Sequence, residues 1–116
     1  MPVVFQTGYV EPNQGDPTIT AVVKVNVNSL RFRAANQHNV DTLTVVAAIF
    51  TADGQFLIGT SKTVNLQLQD KTLKTDPAVT LPFAFHVKRG AYLIRLVLRD
   101  SQSGAMTTIT RPETIS

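Results

Sequence analysis

Ile19-Thr20-Ala21-Val22-Val23-Lys24-Val25-Asn26-Val27 alternates with a period of two. Ile19, Ala21, Val23, Val25 and Val27 share one face; Thr20, Val22, Lys24 and Asn26 share the other. Successive side chains of a strand point to opposite faces, so this is a half-buried strand with a polar outer side. The rhythm recurs along the chain. Between Thr42 and Thr51, Leu43, Val45, Ala47 and Ile49 oppose Thr44, Val46, Ala48 and Phe50. Both faces are apolar there, which predicts a central strand. Tyr92, Ile94, Leu96 and Leu98 point inward in the last long strand, with Leu93, Arg95, Val97 and Arg99 outward.

The connections fit the same picture. Asp53-Gly54 lies between two apolar runs and predicts a two-residue type I′ hairpin, because Asp and Gly tolerate positive φ. The returning strand is expected over 55–60, with Phe56 and Ile58 on one face, and a further strand over 64–68. Leu30 and Phe32, flanked by Arg31 and Arg33, continue the first strand past a kink or start a new one. Residues 34–39 read as a polar loop and Asp70 to Ala78 as a polar connection. Val79, Leu81, Phe83, Phe85 and Val87 alternate around Pro82, which cannot donate to a ladder and so predicts an edge strand or a bulge. Asp100 and Gly104 suit a turn, through an Asx-type bond and a positive φ respectively. A short strand over 105–110 follows, with Arg111-Pro112 expected to end it.

No stretch has a helical period with caps. About seven or eight short strands with regular turn signals predict an all-β, antiparallel two-sheet sandwich of the immunoglobulin or fibronectin type III kind. The 116 residues fit one domain spanning 1–116, which could be a piece of a longer protein.

Composition narrows the chemistry. Hydrophobic residues make up 43% and charged residues 16%, too apolar for a disordered chain. The absence of cysteine removes disulfides, thiolate catalysis and zinc fingers. The net charge of +3 is scattered, with Arg31/Arg33 and Lys88/Arg89 as the nearest clusters, which argues against a nucleic-acid partner. No run approaches the roughly 18 apolar residues of a membrane span, so no membrane insertion is expected. The start, Met1-Pro2-Val3-Val4-Phe5, lacks the charged opening and apolar core of a signal peptide.

The run Gly90-Ala91-Tyr92-Leu93-Ile94-Arg95-Leu96-Val97-Leu98-Arg99-Asp100, followed by Ser103-Gly104, resembles the C-terminal module of von Willebrand factor A-related bacterial proteins, described mainly from Acidobacteria. The likeness extends upstream through Leu30-x-Phe32, Val40-Asp41-x-Leu43-x-Val45 and Ile49-Phe50-x-x-Asp53-Gly54, and covers most of residues 22–110. Arg89 stands where that family usually has Pro, and Met106-Thr107-Thr108 where it often has another Gly. The family's A domain, with its Asp-x-Ser-x-Ser metal motif, is absent, so its metal chemistry does not carry over. The resemblance implies an accessory sandwich in an exported or envelope protein, with no established activity.

Candidate sites are few. Tyr92 reads as a tyrosine-corner residue, its ring in the core and its hydroxyl on nearby backbone. With Gly90, Asp53, Gly54, Asp100 and Gly104 it forms the expected structural set. His38 and His86 lack the companions a zinc site needs, and no nucleophile elbow or phosphate loop is present. No cofactor, metal or catalytic residue is expected. Val46, Ala48 and Phe50 on the outer side of the central strand form an apolar patch of the kind that marks an interface. The strand over Val3 to Val10 is one possible cover; a second copy of the chain or a neighbouring domain is another. Arg95 and Arg99, about 13 Å apart on the next outward face, could pair with acids or grip an acidic partner. The leading expectation is a non-catalytic module for protein–protein or interdomain contact. The alternative is a carbohydrate-binding module, for which Tyr9 and Phe50 are the candidate exposed aromatics.

Overall fold

A computed structural model describes residues 3–116. Eight strands form two antiparallel sheets: β1 (Val3–Val10), β2 (Thr18–Asn26), β3 (Arg33–Ala35), β4 (His38–Thr51), β5 (Phe56–Leu68), β6 (Ala78–His86), β7 (Gly90–Asp100) and β8 (Met106–Ile115). One sheet has the order β1-β2-β6. In the other, β4 pairs with β5 on one edge and with β7 on the opposite edge; β8 follows β7, and β3 pairs with the start of β4. The longest helix among the described residues is the single turn α1 (Asp70–Leu73), within the polar connection.

The alternation sets the core. Ile19, Val23 and Val25 of β2 and Phe83 and Phe85 of β6 belong to one cluster with Leu43, Val45 and Ile49 of β4 and Ile94, Leu96 and Leu98 of β7. Burying a side chain of this size is worth about 1.5–3 kcal/mol. Pro82 lies on β6, an edge of its sheet. The Tyr92 hydroxyl donates to the Lys88 carbonyl at 2.5 Å, four residues upstream, with its ring buried. Gly90 opens β7, and a Cβ there would stand 3.5 Å from the Tyr92 hydroxyl. Tyr92→Phe is expected to cost about 0.5–1.5 kcal/mol, the net worth of one hydrogen bond, measured by urea unfolding. No loss would mean the hydroxyl bond does not fasten the corner.

Five local expectations need correction. The type I′ turn lies elsewhere. Asn36 and Gln37 have φ of 50° and 66°, while at Asp53-Gly54 only Gly54 is left-handed, at 94°. Gly54 N–H donates to Thr51 O and Thr51 N–H to Gln55 O, which is a type I turn followed by a left-handed glycine. The Asp53 carboxylate takes a hydrogen bond from the Thr51 hydroxyl instead. The polar loop over 34–39 is therefore the tip of the β3–β4 hairpin, and β4 begins at His38. The amides of Asn36, Gln37 and Asn39 and the imidazole of His38 hid the strand, because neither face of the tip is fully covered.

Residues 30–32 form no strand; a 3₁₀ turn over Val27–Ser29 precedes them. The two strands expected over 55–60 and 64–68 are one strand, β5. Its register shifts near the turn, so Phe56 opposes Phe50 while Ile58 opposes Ile49. Phe56 and Ile58 consequently face opposite sides. Finally, β8 continues through Arg111-Pro112 to Ile115. Pro112 is tolerated because β8 is an edge: Asp100 N–H donates to Ala105 O, which fixes the alternation and turns the backbone of Pro112 away from β7.

Candidate interaction surface

The outer face of the larger sheet carries Val46, Ala48 and Phe50 from β4 beside Leu93, Arg95, Val97 and Arg99 from β7. β1 does not cover it, because β1 is paired with β2 in the other sheet. Val46 is exposed, and Ala48 is buried between Gly59 and Arg95. Phe50 is half-buried: Phe56 meets it edge to face, with centroids 5.7 Å apart and planes at 71°, and the Arg95 guanidinium lies 5.0 Å from its centroid. Arg99, opposite Thr44, is exposed. Among the described residues neither arginine forms an ion pair; the single salt bridge joins Arg89 and Glu11 at 2.6 Å.

Phe56 is the aromatic that sequence reasoning missed. It is 62% exposed, and the register shift that turns it outward has no sequence signature. Tyr9 is also exposed. His38 and His86 bond only to local polar groups, Asn36 O and Thr18 Oγ1. Among the described residues no three potential metal ligands gather.

A second feature lies at the end of the sandwich near the β7–β8 turn. Asp100, expected as a turn residue, is buried, and Asp41 is buried beside it. Asp100 Oδ2 accepts from Arg31 N–H at 2.7 Å and Oδ1 from Gln102 N–H at 3.1 Å. Asp41 Oδ1 accepts from Thr42 N–H at 2.8 Å and Gln102 N–H at 3.3 Å, while Asp41 Oδ2 has no donor. When Asp41 is protonated, that free oxygen is the place for the proton. Burial, the hydrogen bond to Asp100 and its charge push the Asp41 carboxyl up to about 6. Burial opposes ionisation of Asp100 too, but the Asp41 carboxyl, Arg31 N–H, the Ser103 side chain and Gln102 N–H outweigh it and hold Asp100 below the usual value. The pair clasps the segment before β3, the start of β4 and the β7–β8 turn. Gly104, at φ 72°, donates its N–H to Asp100 O within that turn.

No known family model matches the chain, and no characterised protein matches it by sequence. The fold recurs in solved structures. The chain is similar to part of a β-glucuronidase of Bacteroides uniformis, with a TM-score of 0.65 and 13% identity, over 97% of this chain and 13% of that one. It is also similar to part of a candidate β-galactosidase from Bacteroides fragilis, with a TM-score of 0.60 and 20% identity, over 96% of this chain and 16% of the other. At these identities the likeness establishes the β-sandwich alone. The chain spans less than a fifth of either protein and has the dimensions of one sandwich module within them.

Proposed function

We propose that this chain is a non-catalytic accessory module that docks a neighbouring domain or partner protein through the outer face of its larger sheet. The observation that carries the reading is the apolar cluster of Val46, Phe50 and Phe56, which its own fold leaves partly open. Apolar patches of this kind on a small domain are characteristic of contact surfaces. The resemblance read in residues 22–110 to modules of von Willebrand factor A-related bacterial proteins would imply the same role in an exported or envelope protein. Among the described residues no helix is long and apolar enough to cross a membrane.

Phe50→Glu and Phe56→Glu test the face. Both variants are expected to stay folded, because both rings are at least partly solvated. The parent is expected to self-associate with rising concentration in sedimentation through its uncovered face, and both variants are expected to abolish that association. A parent that is monomeric at every concentration, with variants indistinguishable from it, overturns the interface and leaves the domain a spacer.

The competing reading, a carbohydrate-binding module, draws on the glycosidases among the solved structures of this fold. Sugar rings stack on flat aromatic platforms, and the Phe50 and Phe56 planes, 71° apart, do not make one. Polysaccharide binding lost on Phe56→Ala would establish it instead.

A further inference from the structure

The four outermost long strands do not end their sheets in the same way. The Pro82 carbonyl accepts from Lys62 Nζ, so the backbone of Pro82 faces away from β2, and its missing N–H falls on the open edge of β6. Pro112 does the same on β8. Prolines at such positions block strand pairing. β1 is linked across the sheets to β8 by Thr7 Oγ1 donating to Glu113 Oε2 at 3.1 Å. β5 has 13 residues and no proline.

The alternation of hydrogen bonds identifies the open groups of β5. Thr51 N–H bonds toward the β5 side of β4, and Ser101 N–H bonds to Thr42 O on the β7 side. Odd-numbered residues of β4 therefore face β5, and their partners are Ile58, Thr60, Lys62, Val64, Leu66 and Leu68. The intervening Gly59, Ser61, Thr63, Asn65 and Gln67 turn their N–H and C=O groups to the free edge. Beside this edge runs a groove of about 640 Å³ between β5 and β6, lined by Ile58, Thr60, Lys62, Pro82, Phe83 and Phe85 among others. A second groove of about 480 Å³, sharing Ile58, continues past Leu57, Val87 and Lys88. Leu57 and Ile58 are exposed. Lysines are the charged residues lining both grooves; no carboxylate does.

We infer that the free edge of β5 accepts an extended segment of a partner protein as an added strand, with both apolar and acidic side chains on its groove-facing side. Its backbone would pair with Gly59, Ser61, Thr63 and Asn65. Ile58 and Lys62 share the groove face, so the side chains on that one face of the added strand would be apolar beside Ile58 and Phe83 and acidic beside Lys62 and Lys88. Strand addition takes affinity from main-chain bonds and specificity from alternate side chains. A second copy of this chain is disfavoured as the occupant, because it would bring lysines to lysines.

The probe is a capped ten-residue peptide with threonine at every second position and valine and glutamate in turn between them, compared with the same peptide carrying lysine in place of glutamate. The glutamate peptide is expected to bind, to slow amide exchange at Ser61 and Thr63, and to bind at least about tenfold more tightly than the lysine peptide, the ratio that about 1.4 kcal/mol supplies. Ser61→Pro and Thr63→Pro each remove an edge N–H without touching the ladder to β4, and each should abolish binding while the far-UV circular dichroism stays unchanged. Lys62→Glu should reverse the peptide preference, which keeps the test decisive if a proline variant fails to fold. Absence of amide protection, equal binding by the proline variants, or self-pairing lost on Thr63→Pro would each overturn the inference. Phe50→Glu, on the sheet face, leaves this binding intact whether or not that face is a docking surface.

Discussion

Leu96→Ala is expected to cost about 2–5 kcal/mol of stability, the range for deleting a buried leucine. Leu96 is fully buried. It lies opposite Ala47 of β4 and Ile109 of β8 on the inner face of the larger sheet. With a small residue already beside it and hydrogen-bonded strands on both sides, the backbone cannot collapse into the space, so both the transfer and the cavity contributions are lost. Its neighbour is the control. Arg95 is exposed and touches the Phe50 ring from outside, so Arg95→Ala should cost about 1 kcal/mol or less. Urea melts of the two variants measure the contrast. If Arg95→Ala were the costlier change, the faces of β7 would be inverted, since a one-residue slip exchanges them.

Asp100→Asn should be strongly destabilising at neutral pH and Asp41→Asn should not. Both oxygens of Asp100 accept backbone N–H groups. An amide there would aim an NH₂ at a donor and leave one buried N–H without an acceptor, at a cost of about 1–3 kcal/mol. Asp41 has one oxygen without a donor. In Asp41→Asn the new amide could keep its carbonyl on Thr42 and Gln102 and point its NH₂ at Asp100, in place of the shared proton.

The pH dependence follows with a definite sign. Asp41 is raised from 3.8 to about 6, so its contribution is fully present below about pH 4 and is lost as pH rises through 6. Each tenfold change in proton affinity between the folded and unfolded chain is worth about 1.4 kcal/mol, which makes the loss about 1–3 kcal/mol. Asp100 is lowered, so its contribution is present above about pH 4 and is lost in stronger acid. Unfolding free energy measured between pH 4 and 8 should therefore fall with rising pH in the parent, and Asp41→Asn should flatten that fall. Equal losses for the two amides, or an unchanged slope in Asp41→Asn, would remove the shared proton.

The central strands were legible from the sequence because the faces of β2, β4 and β7 see different surroundings, and a period of two records that difference residue by residue. Pro82 announced its edge for a similar reason, since a missing N–H is harmless only where no strand pairs. Tyr92 was also readable, as a polar handle on an inward ring four residues from the carbonyl it bonds. The two aspartates could have been found. Asp41 is in phase with Leu43 and Val45, and Asp100 with Leu96 and Leu98, so both occupy core positions that a carboxylate avoids unless paired.

The tertiary structure alone decided the rest. The turn with two left-handed residues formed at 36–37, read as a polar loop, and not at 53–54, because hairpin geometry depends on the register of both strands. β5 looked like two strands because its first half, residues 56–61, is exposed on both faces, so burial imposes no pattern there. A single shift of register beside Phe50 turned Phe56 outward and Ile58 inward. Sequence alternation marks which side chains share a face. Which faces and edges remain open depends on how far each sheet extends over the other, and that is settled by contacts between residues far apart in the chain.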